Sequence, residues 1–336
     1  MNTSLLKQLG NIDQIAGIRE ARIMRGRSEG IETAEFYNAA GLRFTVVPDR
    51  CMDLYDLSYK GVNLSFHSQN GLTSPLAYNA MNGEFAEQWP GGMLVTCGLD
   101  NVGGGASNGG NFPVHGRISH VPASNFGTET YWDGDDYILK ASGEVHMTKM
   151  YTRHLSIRRT LTTSLNAKSV KIHDIITNFD DSDEPFMLLY HTNFGYPLLS
   201  ENSKVATSKC QRKPMNDMSG DFSTMMAPVD GRGEELFFQT DLSEKAAGVI
   251  WNPELELGGY IAWNTKNLPN FLEWKNMKSH DYVLALEPCN TCGLNRDEAV
   301  KEGKIAILPA YESIENDLEI GVLDGMTEIN AFIKNL

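Results

Sequence analysis

The sequence predicts an all-β fold, a large antiparallel sandwich with long functional loops and few short helices. Three observations predict it. Alternating or β-rich runs bounded by turn residues recur at short intervals along the whole chain of 336 residues. They do not alternate with amphipathic helices, so a doubly wound α/β arrangement is disfavoured. No self-similarity at a fixed period is visible, which argues against propellers and solenoids.

From the N-terminus, Thr3 to Ile15 reads as a short helix with Thr3 or Ser4 as its cap. Strand runs follow: LRFTVVP from Leu42, DLYDLSY from Asp53, VNLSF from Val62, TETYW from Thr128 and DYILKAS from Asp136. Next come HLSIRRTLTTSL from His154, VKIHDIITNF from Val170 and FMLLYHTNF from Phe186. The C-terminal half adds AGVIW from Ala247, GYIAW from Gly259, FLEWK from Phe271, YVLALEP from Tyr282 and KIAILPAYES from Lys304. Hairpin-like turns sit at Lys60-Gly61, Asp133-Gly134-Asp135-Asp136 and Asn166-Ala167-Lys168. Arg296 to Glu302 reads as a second short helix. Gln69 to Phe112 and Asn202 to Glu235 read as irregular, and loops of that length in a compact domain tend to carry function. With no linker or shift of composition, residues 1–336 read as one domain.

Charge bounds the partners. Against 29 Lys+Arg stand 43 Asp+Glu, a formal net charge of −14. A surface this acidic repels phosphate backbones and anionic lipids, so nucleic acid and membrane are excluded as expected partners. The first residues carry no apolar run of signal-peptide length. Five cysteines, an odd number, suit a reducing compartment, and the expected location is cytoplasmic.

Several motifs carry candidate chemistry. The glycine cluster from Val102 to Gly110 lacks a Gly-Lys-Ser/Thr and no helix pattern follows it, so it is not a nucleotide cradle; it reads as a loop or as a lid over a site. Cys289-Asn290-Thr291-Cys292 has metal or redox spacing but no second pair of ligands, and reads as two packed or pocket-lining thiols. His67, His146, His154, His173 and His280 have no companion feature. Two other histidines do. His115 follows the glycine cluster in Pro113-Val114-His115-Gly116-Arg117, and His191 ends an apolar strand in Tyr190-His191-Thr192-Asn193-Phe194. Glu287 caps the apolar strand Tyr282–Leu286, on the same side as Val283 and Ala285. Burial there raises a carboxyl pKa, which makes a useful base near neutral pH.

Taken together, His115-Gly116-Arg117, His191-Thr192-Asn193-Phe194 and Leu286-Glu287-Pro288 resemble the three ordered motifs of the aldose 1-epimerase (galactose mutarotase-like) superfamily. Their separations are 76 residues from His115 to His191 and 96 from His191 to Glu287. Pro288-Cys289 after the Leu-Glu pair, Arg117 directly after Gly116, and the segment Gly91 to Asn101 resemble a divergent, uncharacterised branch. The resemblance implies a β-supersandwich and interconversion of sugar anomers without a cofactor. It implies Glu287 as base and His191 as acid, on opposite sides of the sugar and exchanging roles as the ring opens and closes. It gives His115 and Arg117 contacts to sugar hydroxyls or the ring oxygen, with Asn193, Asp100 and Asn101 as further candidates. A sugar-binding Asp of the family falls in the interval that holds Asp221 and Asp230. Trp89, Trp251, Trp263 and Trp274 are candidates for stacking on a sugar face.

The expected partner is a monosaccharide or modified sugar, and a homo-oligomer is compatible with the sequence. Arg117, with Arg50 as a second member, opens the alternative of an anionic sugar. Two rival functions stay open. One is a carbohydrate-binding protein that does no chemistry, against which stands the presence of both His191 and Glu287. The other is a metal-assisted isomerase using His115, His191 and Glu287, although no metal site is assigned from their spacing.

Overall fold

The structure, a computed structural model, describes residues 3–78, 85–106 and 112–336. Among these, two large antiparallel sheets face each other, one of twelve strands and one of eight. The fold is the expected all-β one. Strands Leu42–Val47 and Asp53–Tyr59 coincide with the runs read from the sequence.

The smaller sheet shows the signature of one dry and one wet face. In Asp136–Lys149 burial alternates residue by residue, with Tyr137, Leu139, Ala141, Val145 and Met147 turned inward. These meet Leu54, Leu57, Phe44, Tyr190 and Phe194 from the larger sheet in one continuous hydrophobic cluster. The centre of the larger sheet differs. There Leu94–Leu99, Glu184–Phe194 and Asp281–Cys289 lie side by side and are buried on both faces. Their outer face carries a second cluster of Val95, Cys97, Val102, Met187, Leu189 and Cys289, roofed by loops.

Four expectations need correction. Thr3 to Ile15 is not one helix: it splits into Thr3–Leu6 and a 3₁₀ turn Ile12–Gln14, because Asn11 caps the second piece by accepting from the Asp13 amide at 3.0 Å. Gln69 to Phe112 is not wholly irregular, since it contains the strand Leu94–Leu99. That strand lacks alternation because all six of its residues are buried. Asn202 to Glu235 likewise contains short strands, Lys204–Thr207 and Gln211–Pro214. A helix absent from the sequence reading, Met326–Lys334, closes the chain; its N-cap is Gly325, which offers no side-chain cap to read. The expected helix at Arg296 does form, over Arg296–Lys301, capped by Asn295. No helix among the described residues is long and apolar enough to cross a membrane.

Two sets of charges lie inside the sandwich. Arg159, fully buried, donates to both oxygens of Asp174 at 2.9 and 2.7 Å, to Asp53 at 2.9 Å and to Thr96 Oγ1 at 2.9 Å. Tyr190 adds its hydroxyl to Asp174 at 2.7 Å. This network stitches the two sheets together, since Arg159 and Asp174 belong to one and Asp53, Thr96 and Tyr190 to the other.

The second case is Glu273, fully buried with no hydrogen-bond partner for either oxygen among the described residues. Burial pushes its carboxyl up to about 8 against the pull of Lys275 and Arg212. A carboxyl raised on folding contributes stability that is full below its unfolded value, near 4.5, and is lost as pH rises through about 8. Urea unfolding from pH 5 to 9 should therefore show Glu273→Gln gaining on the native chain by up to about 1.4 kcal/mol per pH unit, levelling off above pH 8. A difference independent of pH would mean that Glu273 ionises as freely in the fold as outside it.

Candidate active site

Register brings the two principal candidates together. Strand Glu184–Phe194 pairs with Asp281–Cys289 so that Leu189 faces Cys289 and Thr192 faces Leu286. His191 therefore falls opposite Glu287 on the outer face, as cross-strand neighbours. Nε2 of His191 lies 3.1 Å from Oε1 of Glu287, and both side chains are almost wholly buried. They are adjacent on one wall of the cavity, not on opposite sides of a gap as the resemblance implies.

Asn193 fixes the imidazole. Its amide nitrogen donates to the carbonyls of Gly92 at 3.0 Å and His191 at 2.9 Å, which leaves Oδ1 as an acceptor. That oxygen lies 2.6 Å from Nδ1 of His191, so Nδ1 carries the hydrogen and Nε2 keeps its lone pair. Burial, aided by the neighbouring His115 and opposed by the Asn193 hydrogen bond, lowers the His191 pKa to about 3. Burial raises Glu287 well above the ordinary carboxylate range, and Glu234 adds to the rise. Both shifts favour a neutral pair, with the acidic proton on Glu287.

The dyad opens into a cavity of about 780 Å³. Trp89 and Trp274 each stand edge-on to His191 with centroids 5.5 Å away, and His115 does the same from a third side at 5.5 Å. Glu234 also lines the cavity and accepts from Trp274 Nε1 at 2.7 Å. Of the four candidate tryptophans, Trp89 and Trp274 are walls of this site. Trp263 stacks on Phe271 in the core, and Trp251 packs with Val249, Leu323 and Ile329.

His115 reaches the cavity by a tight backbone clasp. The strand residue Gly98 donates to the His115 carbonyl at 2.9 Å and accepts from the Arg117 amide at 3.0 Å. Gly116, at φ +71°, lies so close to Gly98, Asp100 and Asn101 that a Cβ would clash with all three. Burial lowers His115 to about 4.

Asp100, Asn101 and Arg117 serve this clasp and do not line the cavity, which corrects their expected contact with substrate. Asp100 is fully buried, accepts from the Arg117 amide at 3.2 Å and pairs with the guanidinium of Arg117, with Arg153 3.4 Å away. Asn101 donates to the carbonyls of Gly104 and Pro113, each at 2.8 Å. Asn193 also stays behind the wall, as the brace for His191.

Arg50 is buried against Thr73 and the Gln88 carbonyl, with burial lowering it to about 10. Neither Arg50 nor Arg117 reaches the cavity. Among its described lining residues the acids are Glu234, Asp281 and Glu287.

Asp221 and Asp230 lie outside the cavity, bonded to Ser223, Thr224 and Ser279. Glu234, in the same interval of sequence, is the acid that faces in. The sequence could have offered it by asking for Asp or Glu there, not Asp alone. His115, His191 and Glu287 do not form a metal-binding group, since no three His, Cys, Asp or Glu side chains among the described residues are arranged to hold an ion. Cys289 is buried in the outer-face cluster with Leu189 and Val102 and does not line the cavity; burial pushes its thiol up to about 12, and the five cysteines are free. Gly103 and Gly104 line the cavity, whereas Ser107 to Gly110 of the glycine cluster lie outside the described residues.

Solved structures share this architecture. A Klebsiella pneumoniae protein with a provisional aldose 1-epimerase assignment superposes with a TM-score of 0.89 at 23% identity, covering 100% of this chain and 90% of its own. A galactose mutarotase-like protein from Clostridium acetobutylicum gives 0.59 at 16% identity, covering 93% of this chain and 99% of its own. Galactose 1-epimerase from Lactobacillus acidophilus gives 0.58 at 12% identity, covering 92% and 99%. At these identities the likeness is one of fold, and the fold is galactose mutarotase-like. Among curated proteins none matches. Residues 28–322 match the family described as a domain of unknown function, DUF4432, and the chain belongs to that family.

Proposed function

We propose that the chain is a single carbohydrate-active domain that interconverts the anomers of a sugar, an aldose 1-epimerase-type isomerase. One observation carries the reading: an imidazole and a carboxyl touch at 3.1 Å in a buried, aromatic-walled cavity, with the imidazole tautomer fixed by Asn193. The protein's likeness in fold to aldose 1-epimerases supports it.

Anomer exchange needs an acid at the ring oxygen and a base at the C1 hydroxyl. Both oxygens are bonded to one carbon, so two groups side by side can serve them. The pair needs one exchangeable proton between them. Burial keeps that proton on Glu287, so Glu287 gives it to the ring oxygen while His191 Nε2 takes the hydroxyl proton. On reclosure the carboxylate is the base and the imidazolium the acid, so at each step the two roles are the reverse of those that the resemblance implies. His115 and Glu234 offer hydrogen bonds to the remaining oxygens. No cofactor is required.

The acidic lining favours a neutral sugar over an anionic one. A protein that bound sugar without chemistry would have no need of the dyad. The five free cysteines fit a reducing, cytoplasmic setting.

NMR exchange spectroscopy on a panel of neutral aldoses, uronates and sugar phosphates tests the reading. Exchange faster than the spontaneous rate is expected for neutral members only. The pH profile follows from the shifts. Protonating His191, near pH 3, removes the base, and deprotonating Glu287 removes the acid. Thus kcat/KM should stay level from about pH 5 upward and fall only as pH rises through the raised Glu287 value. A bell confined between the ordinary carboxylate and imidazole values would contradict the burial argument.

A further inference from the structure

The cavity is larger than its chemistry requires. Its volume is about 780 Å³, toward the upper end of small-molecule sites, whereas a hexose has only about a dozen non-hydrogen atoms. The excess has a direction. Strand Asn270–Lys278 pairs with the dyad's strand so that Leu272 faces Glu287. From Leu272 the cavity-facing residues run through Trp274 to Asn276, an advance of about 13 Å along the strand. Beyond lies Asp281, held by Gln69 at 3.0 Å and Lys278 at 2.9 Å.

Trp274 is a wall shared with the dyad, and beyond it the distal half adds amide and carboxylate groups from Gln69, Asn276 and Asp281. An aromatic face packs on the C–H face of a pyranose while polar groups meet its hydroxyl rim. Nothing that the dyad does to C1 calls for hydrogen-bonding groups so far away. The anomeric hydroxyl must be free for ring opening, so any extension leaves the reacting ring from a different carbon.

We propose that the distal half is a second subsite for a further neutral sugar unit, and that the preferred substrate is a reducing disaccharide with its reducing-end ring at the dyad. The proposal rests on the anomer-exchange reading above.

The test compares anomer exchange of maltose, cellobiose and lactose with that of glucose and galactose on the native chain. It then repeats the comparison with Asn276→Ala and Asp281→Ala, each checked for an unchanged melting temperature. At least one disaccharide should exceed both hexoses in kcat/KM by about tenfold. Either variant should raise KM for that disaccharide while leaving the hexose constants in place. The subsite is overturned if the hexoses are the better substrates, or if both variants change hexose and disaccharide alike. Exchange of no sugar above the spontaneous rate would overturn the anomer-exchange reading itself, and the subsite with it.

Discussion

Glu287→Gln is expected to lower kcat/KM for anomer exchange by about 10²–10⁴-fold, the ordinary contribution of a positioned acid or base. The substitution keeps the shape of the side chain, so the cavity and its aromatic walls stay in place, but an amide cannot pass a proton to the ring oxygen. The loss should fall on kcat, with KM changed far less, because hydrogen bonds to the sugar are retained. His191→Asn should lose a comparable amount by removing the Nε2 base that stands beside Glu287. The double variant should be scarcely worse than the poorer single one, since the two groups share one proton and act as a unit. Undiminished exchange in Glu287→Gln, with a sugar that demonstrably binds, would sink the mechanism.

Much of this site was legible because catalytic side chains interrupt apolar strands. His191 and Glu287 each stand out in a hydrophobic run that a core strand does not need. Their contact was not legible. It depends on a register between strands 96 residues apart, and no local pattern encodes which residue faces which. The same limit explains Asp100, Asn101 and Arg117. Their types suit sugar hydroxyls, but their partners are one another and the backbone of the His115 loop, and proximity in sequence does not reveal such pairing. Leu94–Leu99 escaped detection for the opposite reason: burial on both faces erases the alternation that announces a strand. Glu234 and the distal cavity residues sit on strands and loops whose inward direction only the assembled sheet defines.

Arg159→Met is expected to destabilise the protein by about 3–5 kcal/mol, the effect of stranding a buried charge. Asp174 would keep only the Tyr190 hydroxyl, and Asp53 would keep only its two bonds from Thr96, at 2.9 and 2.6 Å. The cost arises from the abandoned carboxylates more than from the lost attraction, so Arg159→Met combined with Asp174→Leu should be less destabilised than Arg159→Met alone. Urea unfolding of both single variants and the double one gives the coupling energy directly; simple additivity would show that the ion pair does not bind the sheets as its geometry indicates. The network also bears on the site. Thr96 lies between Val95 and Cys97 of the outer-face cluster, and Tyr190 directly precedes His191, so the strands that Arg159 clamps on their inner face present the dyad on their outer one. Where Arg159→Met remains folded, its pH profile for anomer exchange should keep the native shape, because the guanidinium faces away from the cavity and does not set the proton affinity of Glu287 or His191.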